Sequence, residues 1–280
     1  MQITLAKTYG FCWGVRRAIN IAEETARMDN TEVQTFGPLI HNEAELERLR
    51  QEGIVAKDTQ DELQELLPVV IRAHGIAPKV QRELELRNSN VIDATCPLVK
   101  KVHGIVKLKA MRGYKILIYG EKEHPEIMGV IGYTQGNSLV VRNLEEAKKL
   151  PKLEGKLAIV GQTTEIPGEY EEVCAYLKSV YPDLEVFDTI CQPTKDAKSS
   201  AVTVAKNSDL MIVIGGRASS NTIKLARLCS SICKTIHISS PDEVNNEMLK
   251  NVKNLGVTAG ASTPDWLVKK TFERLEELSA

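Results

Sequence analysis

The sequence predicts an α/β fold: three similar lobes with mostly parallel sheets, arranged with pseudo-threefold symmetry around a common centre. Three observations predict it. Apolar runs of strand length alternate with helix-like stretches of roughly 10 to 15 residues, the pattern of parallel sheets covered by helices on both faces. Three cysteines, Cys12, Cys96 and Cys191, recur 84 and 95 residues apart, each opening a helix-like stretch. The glycines that end the next apolar run, Gly37, Gly120 and Gly215, follow those cysteines by 25, 24 and 24 residues.

The elements repeat in order. Helices are expected over 14–28, 97–111 and 193–206, with Pro97 and Pro193 in a first turn where a missing N–H is harmless. Apolar strands follow at 33–37, 115–120 and 210–215, then a helix and a small strand at 53–56, 138–141 and 235–238. Asp58, Asn143 and Ser240 are the expected caps of the next helices. A second buried strand comes at 69–73, 157–161 and 254–259, then another helix. Strands at 90–96 and 184–191 lead back to a cysteine. The third unit lacks this last strand, and the N-terminal strand 2–9, leading into Cys12, would supply it. The expected lobes are 13–96, 97–191, and 192–280 completed by 1–12.

Composition excludes several classes. In 280 residues, 37 acidic and 36 basic side chains give a net charge of −1, no field to recruit nucleic acid or an anionic membrane. No apolar run reaches the roughly 18 residues of a membrane span. The start, Met1-Gln2-Ile3-Thr4-Leu5, has no leader pattern, so a cytoplasmic protein is expected. In a reducing compartment the six cysteines read as metal ligands or packing, not disulfides. Cys174, Cys229 and Cys233 lie in helix-like stretches and read as core.

Loops at the carboxyl ends of parallel strands line the ligand crevice. Each of the three repeat cysteines falls there, so all three are expected to meet at the centre, one thiolate short of a closed zinc or electron-transfer iron-sulfur site. Iron with an open position for substrate, zinc with a catalytic water, and plain burial of small residues all stay open on spacing alone. His41, His74 and His124 occupy equivalent loops; with Thr163, Ser219, Ser220, Asn221 and Ser262 they form donors suited to phosphate oxygens, histidine carrying the balancing charge. Ser219 to Asn221 also read as a plain helix cap. Glu126, two residues after His124, is placed to relay protons to a leaving group, or is simply solvated.

These residues carry a resemblance. Gly10-Phe11-Cys12-Trp13-Gly14, Gly37-Pro38-Leu39-Ile40-His41-Asn42, Arg72-Ala73-His74-Gly75, Asp93-Ala94-Thr95-Cys96-Pro97, His124-Pro125-Glu126, Gly161-Gln162-Thr163-Thr164, Thr189-Ile190-Cys191, Ser219-Ser220-Asn221 and Thr258-Ala259-Gly260-Ala261-Ser262 stand in the order seen in 4-hydroxy-3-methylbut-2-enyl diphosphate reductases of the non-mevalonate isoprenoid pathway. The sequence resembles that family over nearly its whole length. The resemblance implies three lobes around a central [4Fe-4S] cluster on Cys12, Cys96 and Cys191, the substrate hydroxyl binding the fourth iron. It implies that Glu126 donates a proton, that Thr163 orients the hydroxyl end, and that His41, His74, His124, Ser219, Ser220, Asn221 and Ser262 bind the diphosphate. Two electrons and two protons would yield isopentenyl and dimethylallyl diphosphates. With no G-x-G-x-x-G fingerprint after a strand, electrons are expected from outside the chain, and the resemblance implies a ferredoxin or flavodoxin as their source. The departures, Trp13 and Gly216-Arg217-Ala218, are expected to touch no implied ligand. The competing readings are a three-cysteine zinc hydrolase or lyase, and a non-catalytic iron-sulfur sensor.

Overall fold

The computed structural model describes every residue except Asn30, Ser89 and Ala280, so the last residue of the expected third lobe lies outside the described residues. The elements run β1 (Gln2–Leu5), α1 (Trp13–Asp29), β2 (Val33–Phe36), α2 (Glu43–Gln51), β3 (Ile54–Lys57), β4 (Val69–Ile71), α3 (Pro78–Arg87) and β5 (Val91–Asp93). Then come α4 (Pro97–Met111), β6 (Lys115–Tyr119), α5 (Pro125–Ile131), β7 (Ser138–Val141), α6 (Leu144–Lys148), β8 (Leu157–Gly161), α7 (Pro167–Val180) and β9 (Glu185–Val186). The last stretch holds α8 (Gln192–Ala205), β10 (Leu210–Ile214), α9 (Ser220–Ser230), β11 (Lys234–Ile238), α10 (Asn246–Leu249), β12 (Asn254–Ala259) and α11 (Asp265–Ser279).

Three four-stranded sheets result, ordered β3-β2-β4-β5, β7-β6-β8-β9 and β11-β10-β12-β1, all parallel. The order is the same three times, with β1 standing where a fourth strand of the last repeat belongs. Gln2 to Leu5 pair in register with Asn254 to Val257. The central strands of the last two sheets are largely apolar on both faces because helices cover both, whereas β2 of the first sheet buries Gln34 and Thr35. On one side of β6 and β8, Leu117, Tyr119 and Ile159 pack on Leu177 and Val173 of α7; on the other, Ile116, Ile118 and Val160 pack on Val102 and Val106 of α4 and Ile127 and Val130 of α5. In the last sheet, Leu210, Ile212 and Val257 meet Leu267 and Leu275 of α11, while Met211 and Val213 meet Ala201 of α8 and Leu225 of α9.

By compactness the chain divides into two units, one of Met1–Arg16, Ile40–Glu52 and Gln192–Ala280, the other of Arg17–Leu39 and Gly53–Cys191. Helix α2 therefore belongs with the last sheet's unit. A polar contact ties it there: buried Glu45 of α2 accepts the indole N–H of Trp266 in α11 at 2.7 Å.

Local differences from expectation have local causes. The fourth strands are short, ending at Asp93 and Val186, because side chains and single bonds replace the ladder. The Thr189 hydroxyl, for example, accepts from Gly161 N–H and donates to Gly161 C=O, both at 2.7 Å. Asn143 caps α6 as expected, but Ser240 caps a short 3-10 turn (Pro241–Glu243) while Asn245 caps α10, and Thr59, not Asp58, precedes another 3-10 turn and makes no side-chain cap bond. Helix α9 stops at Ser230, so Cys233 is a partly buried residue of the turn into β11, outside the helix. Cys174 and Cys229 are core residues, and burial pushes their thiols up to about 11 and about 12, which keeps them protonated and unreactive.

Candidate active site

Each residue singled out from the sequence lies beyond the carboxyl end of a strand, in the loop or first helical turn that follows. Two groups of them are held by hydrogen bonds, one in each unit.

In the larger unit, Glu126 in the first turn of α5 is 1% exposed. Its carboxyl group takes two donors from one residue, Thr163 N–H at 2.6 Å and Thr163 Oγ1 at 2.7 Å. Thr163 is equally occupied on its other side, since its carbonyl accepts the Cys191 N–H at 3.0 Å. His124 caps α5, its Nδ1 accepting from Glu126 N–H at 3.2 Å, and the His74 ring meets the His124 ring edge-on at 5.3 Å. Cys96 stands immediately before α4, makes no side-chain cap bond there, and donates its N–H to Ala73 C=O at 2.9 Å. An acid, a hydroxyl, two imidazoles and two thiols are thus tied to the loops after β4, β5, β6, β8 and β9.

In the other unit, Cys12 N–H bonds Ala261 C=O at 3.3 Å, and Ser262 Oγ donates to Ser219 Oγ at 3.0 Å. Ser219 caps α9, of which Ser220 and Asn221 form the first turn, and no acidic residue stands in that turn to repel an anion. The cysteine contacts follow one rule throughout: Cys12, Cys96 and Cys191 each donate a backbone N–H to the loop after the preceding strand in their sheet, at Ala261, Ala73 and Thr163.

Gly216 corrects the expectation that the departures avoid the implied ligands. A Cβ there would lie 2.1 Å from His41 carbonyl oxygen and 3.2 Å from Asn42 Cα, so bare backbone is what lets the Ser219 loop lie against His41. Gly216→Ala is expected to lower stability by about 1–3 kcal/mol, the usual cost of forcing an added methyl into backbone. A urea unfolding titration against the parent chain measures it.

His103 falls within the helix expected over 97–111, yet it belongs to the surroundings of the acid. It is 6% exposed, stacks on Tyr133 at 4.5 Å, and its Cε1 lies 2.8 Å from where Gly75 would carry a Cβ. Gly75 has φ +69 and needs glycine twice over. The ring also reaches Gly129, whose Cβ would stand 3.5 Å from Nε2. It therefore fills the notch between the His74 loop and α5. The available signal was spacing, since His103 is two helical turns after Cys96 and shares its side of α4.

Burial pushes the His103 imidazole down to about 4; Asp93 opposes the shift and Lys100 adds to it. Between that value and about 6.5 the unfolded chain binds a proton that the folded chain refuses, so the stability contribution is complete above about 6.5 and falls with pH through that window. His103→Phe keeps the stack and binds no proton. The parent should lose about 2 kcal/mol more than this variant between pH 7 and pH 5 in denaturant titrations.

Gln162, fully buried, completes the surroundings of Thr163: its Oε1 accepts from Glu121 N–H at 3.1 Å and its Nε2 donates to Thr164 Oγ1 at 3.0 Å. A buried acid, its hydroxyl partner and clustered imidazoles beyond the strand ends of a parallel α/β fold define an enzyme site for a small polar substrate.

Comparison with known proteins gives that enzyme a family. Residues 3–276 match the LytB protein family, and the chain belongs to it. It is 42% identical over 283 residues to the 4-hydroxy-3-methylbut-2-enyl diphosphate reductase of Caldanaerobacter subterraneus subsp. tengcongensis, covering 99% of this chain and 98% of that protein. With the Campylobacter hominis protein of the same name it shares 40% over 280 residues, covering 99% and 100%. Among solved structures, E-1-hydroxy-2-methyl-but-2-enyl-4-diphosphate reductase from Plasmodium falciparum matches with TM-score 0.92 at 28% identity, over 97% of this chain and 87% of that one. A second solved reductase, described as the terminal enzyme of the non-mevalonate pathway, matches at 37% identity and TM-score 0.71 over 99% and 100% of the two chains. The chain is accordingly an oxidoreductase. Among the described residues no helix is long and apolar enough to cross a membrane.

Proposed function

We propose that the chain carries out reductive dehydroxylation of 4-hydroxy-3-methylbut-2-enyl diphosphate, taking up two electrons and two protons and giving isopentenyl and dimethylallyl diphosphates. The observation that carries this reading is the double engagement of Thr163. One residue fixes the buried carboxyl group of Glu126 through its N–H and hydroxyl, and fixes Cys191 through its carbonyl. A proton source and a soft metal ligand tied to the same backbone suit a reaction in which reduction and protonation of one substrate must coincide.

The cofactor in this reading is a [4Fe-4S] cluster on Cys12, Cys96 and Cys191. The donor set fits it. All three thiols are outside any disulfide, half-buried, and adjacent to a helix N-terminus that favours the thiolate, and their N–H bonds follow the common rule above. Three thiolates leave one iron open, and the bound cluster would supply electrons and a Lewis-acid site for the departing oxygen.

The protein's own residues do the rest. The Thr163 hydroxyl donates to Glu126 Oε2 at 2.7 Å when that oxygen carries no proton; with the acid protonated, Oε2–H donates to Oγ1 and the Thr163 O–H turns to the leaving hydroxyl, so Glu126 acts through one hydroxyl relay. Ser219, Ser220, Asn221 and Ser262, with the α9 N-terminus, hold the diphosphate together with His41, His74 and His124. Burial of Glu126 excludes bulk water from the proton it holds. Division into lobes at 96 and 191, a cytoplasmic location, and an external ferredoxin or flavodoxin as electron donor belong to the same proposal.

Anaerobic purification with iron, sulfide and zinc analysis, followed by turnover with a reduced viologen dye, tests it. About four irons per chain and dye oxidation that depends on the allylic diphosphate and yields both products are expected. Stoichiometric zinc without iron points to a hydrolase or lyase, and a cluster without turnover points to a sensor; either overturns the proposal.

A further inference from the structure

In each repeat, the loop after the first strand ends in a side chain that caps the next helix. Asn42 Oδ1 accepts from Glu45 N–H at 3.2 Å before α2, His124 Nδ1 accepts from Glu126 N–H at 3.2 Å before α5, and Ser219 Oγ accepts from Thr222 N–H at 3.3 Å before α9. Asparagine and serine are ordinary caps; imidazole is not. A ring nitrogen that accepts a hydrogen bond carries no proton, and in a neutral ring the proton then sits on the other nitrogen.

We infer that the Glu126 backbone N–H locks His124 as the neutral Nε2–H tautomer, making His124 a positioning residue for Glu126 that offers the substrate one hydrogen-bond donor and no transferable charge. For the substrate the inference rests on the function proposed above; for the tautomer it stands on the cap alone. Protonating Nδ1 would set two N–H groups against each other at the first turn of α5, where the buried acid is held. Titratable groups against the ring include Glu126, engaged by Thr163, and His74, edge-on at 5.3 Å. The expectation that the loop histidines supply balancing charge therefore does not extend to His124, and protons reach the substrate by Glu126 and Thr163.

Two side chains separate the two ring nitrogens. His124→Asn puts an acceptor near the position of Nδ1, as the sister residue Asn42 does, but has no donor at Nε2. His124→Gln reaches the Nε2 position with an amide N–H and removes the cap. In the full-length holoprotein with 15N-labelled histidine rings, His124 should show an unprotonated Nδ1 and a protonated Nε2 at neutral pH, assigned by the signals lost in His124→Asn. A protonated Nδ1 overturns the inference. In kinetics, His124→Asn should raise KM about tenfold or more with kcat within about threefold, and His124→Gln should do the reverse, the scale of one hydrogen bond to a charged group. Equal losses in both parameters for both variants would also overturn it. A parent chain without reductase activity would sink the proposed function while leaving the tautomer readout intact.

Discussion

Glu126→Gln should lower kcat by about 10²- to 10⁴-fold, the range of a lost general acid, while leaving iron content and substrate affinity unchanged. The amide is nearly isosteric with the carboxyl group and keeps one acceptor for Thr163 N–H, now at 2.6 Å from Oε1. The second position changes character. An amide nitrogen in the place of Oε2, 2.7 Å from Thr163 Oγ1, can donate to the hydroxyl as the protonated acid does but has no proton it can give up, which leaves no acid behind the hydroxyl. Binding should survive because the residues assigned to the diphosphate make none of these bonds. Steady-state turnover with a reduced viologen dye, beside iron analysis and an equilibrium binding titration of the substrate, separates the two effects. Normal turnover in Glu126→Gln would remove Glu126 from the relay, and loss of iron would show that the substitution damaged the fold.

Much of this arrangement was legible in the sequence because the repeat carries it. Runs such as Leu210 to Ile214 are apolar at every position only if both faces of a strand are covered, which is the signature of a parallel sheet in an α/β fold. The want of a fourth strand in the third repeat pointed to the chain's own start, and β1 pairs with β12. The site loops were legible for the same reason, since function in such sheets gathers beyond the strand ends. What stayed hidden depends on contacts between residues far apart in sequence. Glu45 reads as a solvated helix glutamate until Trp266, 221 residues away, covers it and draws α2 into another unit. Gly216 reads as a neutral departure, because the His41 carbonyl that it accommodates is invisible in one dimension. His103 sits on a helix already burying Val102 and Val106 against a sheet, so its role beside Gly75 and Gly129 lies on a second buried face that a simple amphipathic pattern does not reveal. The cap made by His124 escaped for a different reason, since imidazole is absent from the usual capping set.

Serine replacement should divide the six cysteines into two sets. Cys12→Ser, Cys96→Ser and Cys191→Ser are each expected to abolish the brown absorption and most of the bound iron, because a hydroxyl is far less acidic than a thiol and a poor match for iron that prefers soft sulfur. Their folding should change little: each side chain is only partly buried, and the bonds that fix these residues run through their backbone N–H groups, which serine retains. Cys174→Ser and Cys229→Ser should behave in the opposite way. Both thiols lie in core clusters, Cys229 among carbon such as Leu225 and Met211 and Cys174 beside Leu177 and hydrogen-bonded to Tyr170, so an added hydroxyl costs about 1–3 kcal/mol of stability, the larger share of that range at 229. Iron content per folded chain should stay at the parent value. Cys233→Ser, at a partly buried turn, should alter neither quantity by much. Iron and sulfide analysis of anaerobic preparations, paired with urea unfolding of the same variants, reads both axes at once. Retention of a full cluster by any one of the first three would remove that residue from the ligand set. Loss of iron in Cys174→Ser or Cys229→Ser at unchanged stability would mean that the repeat had selected the wrong cysteines.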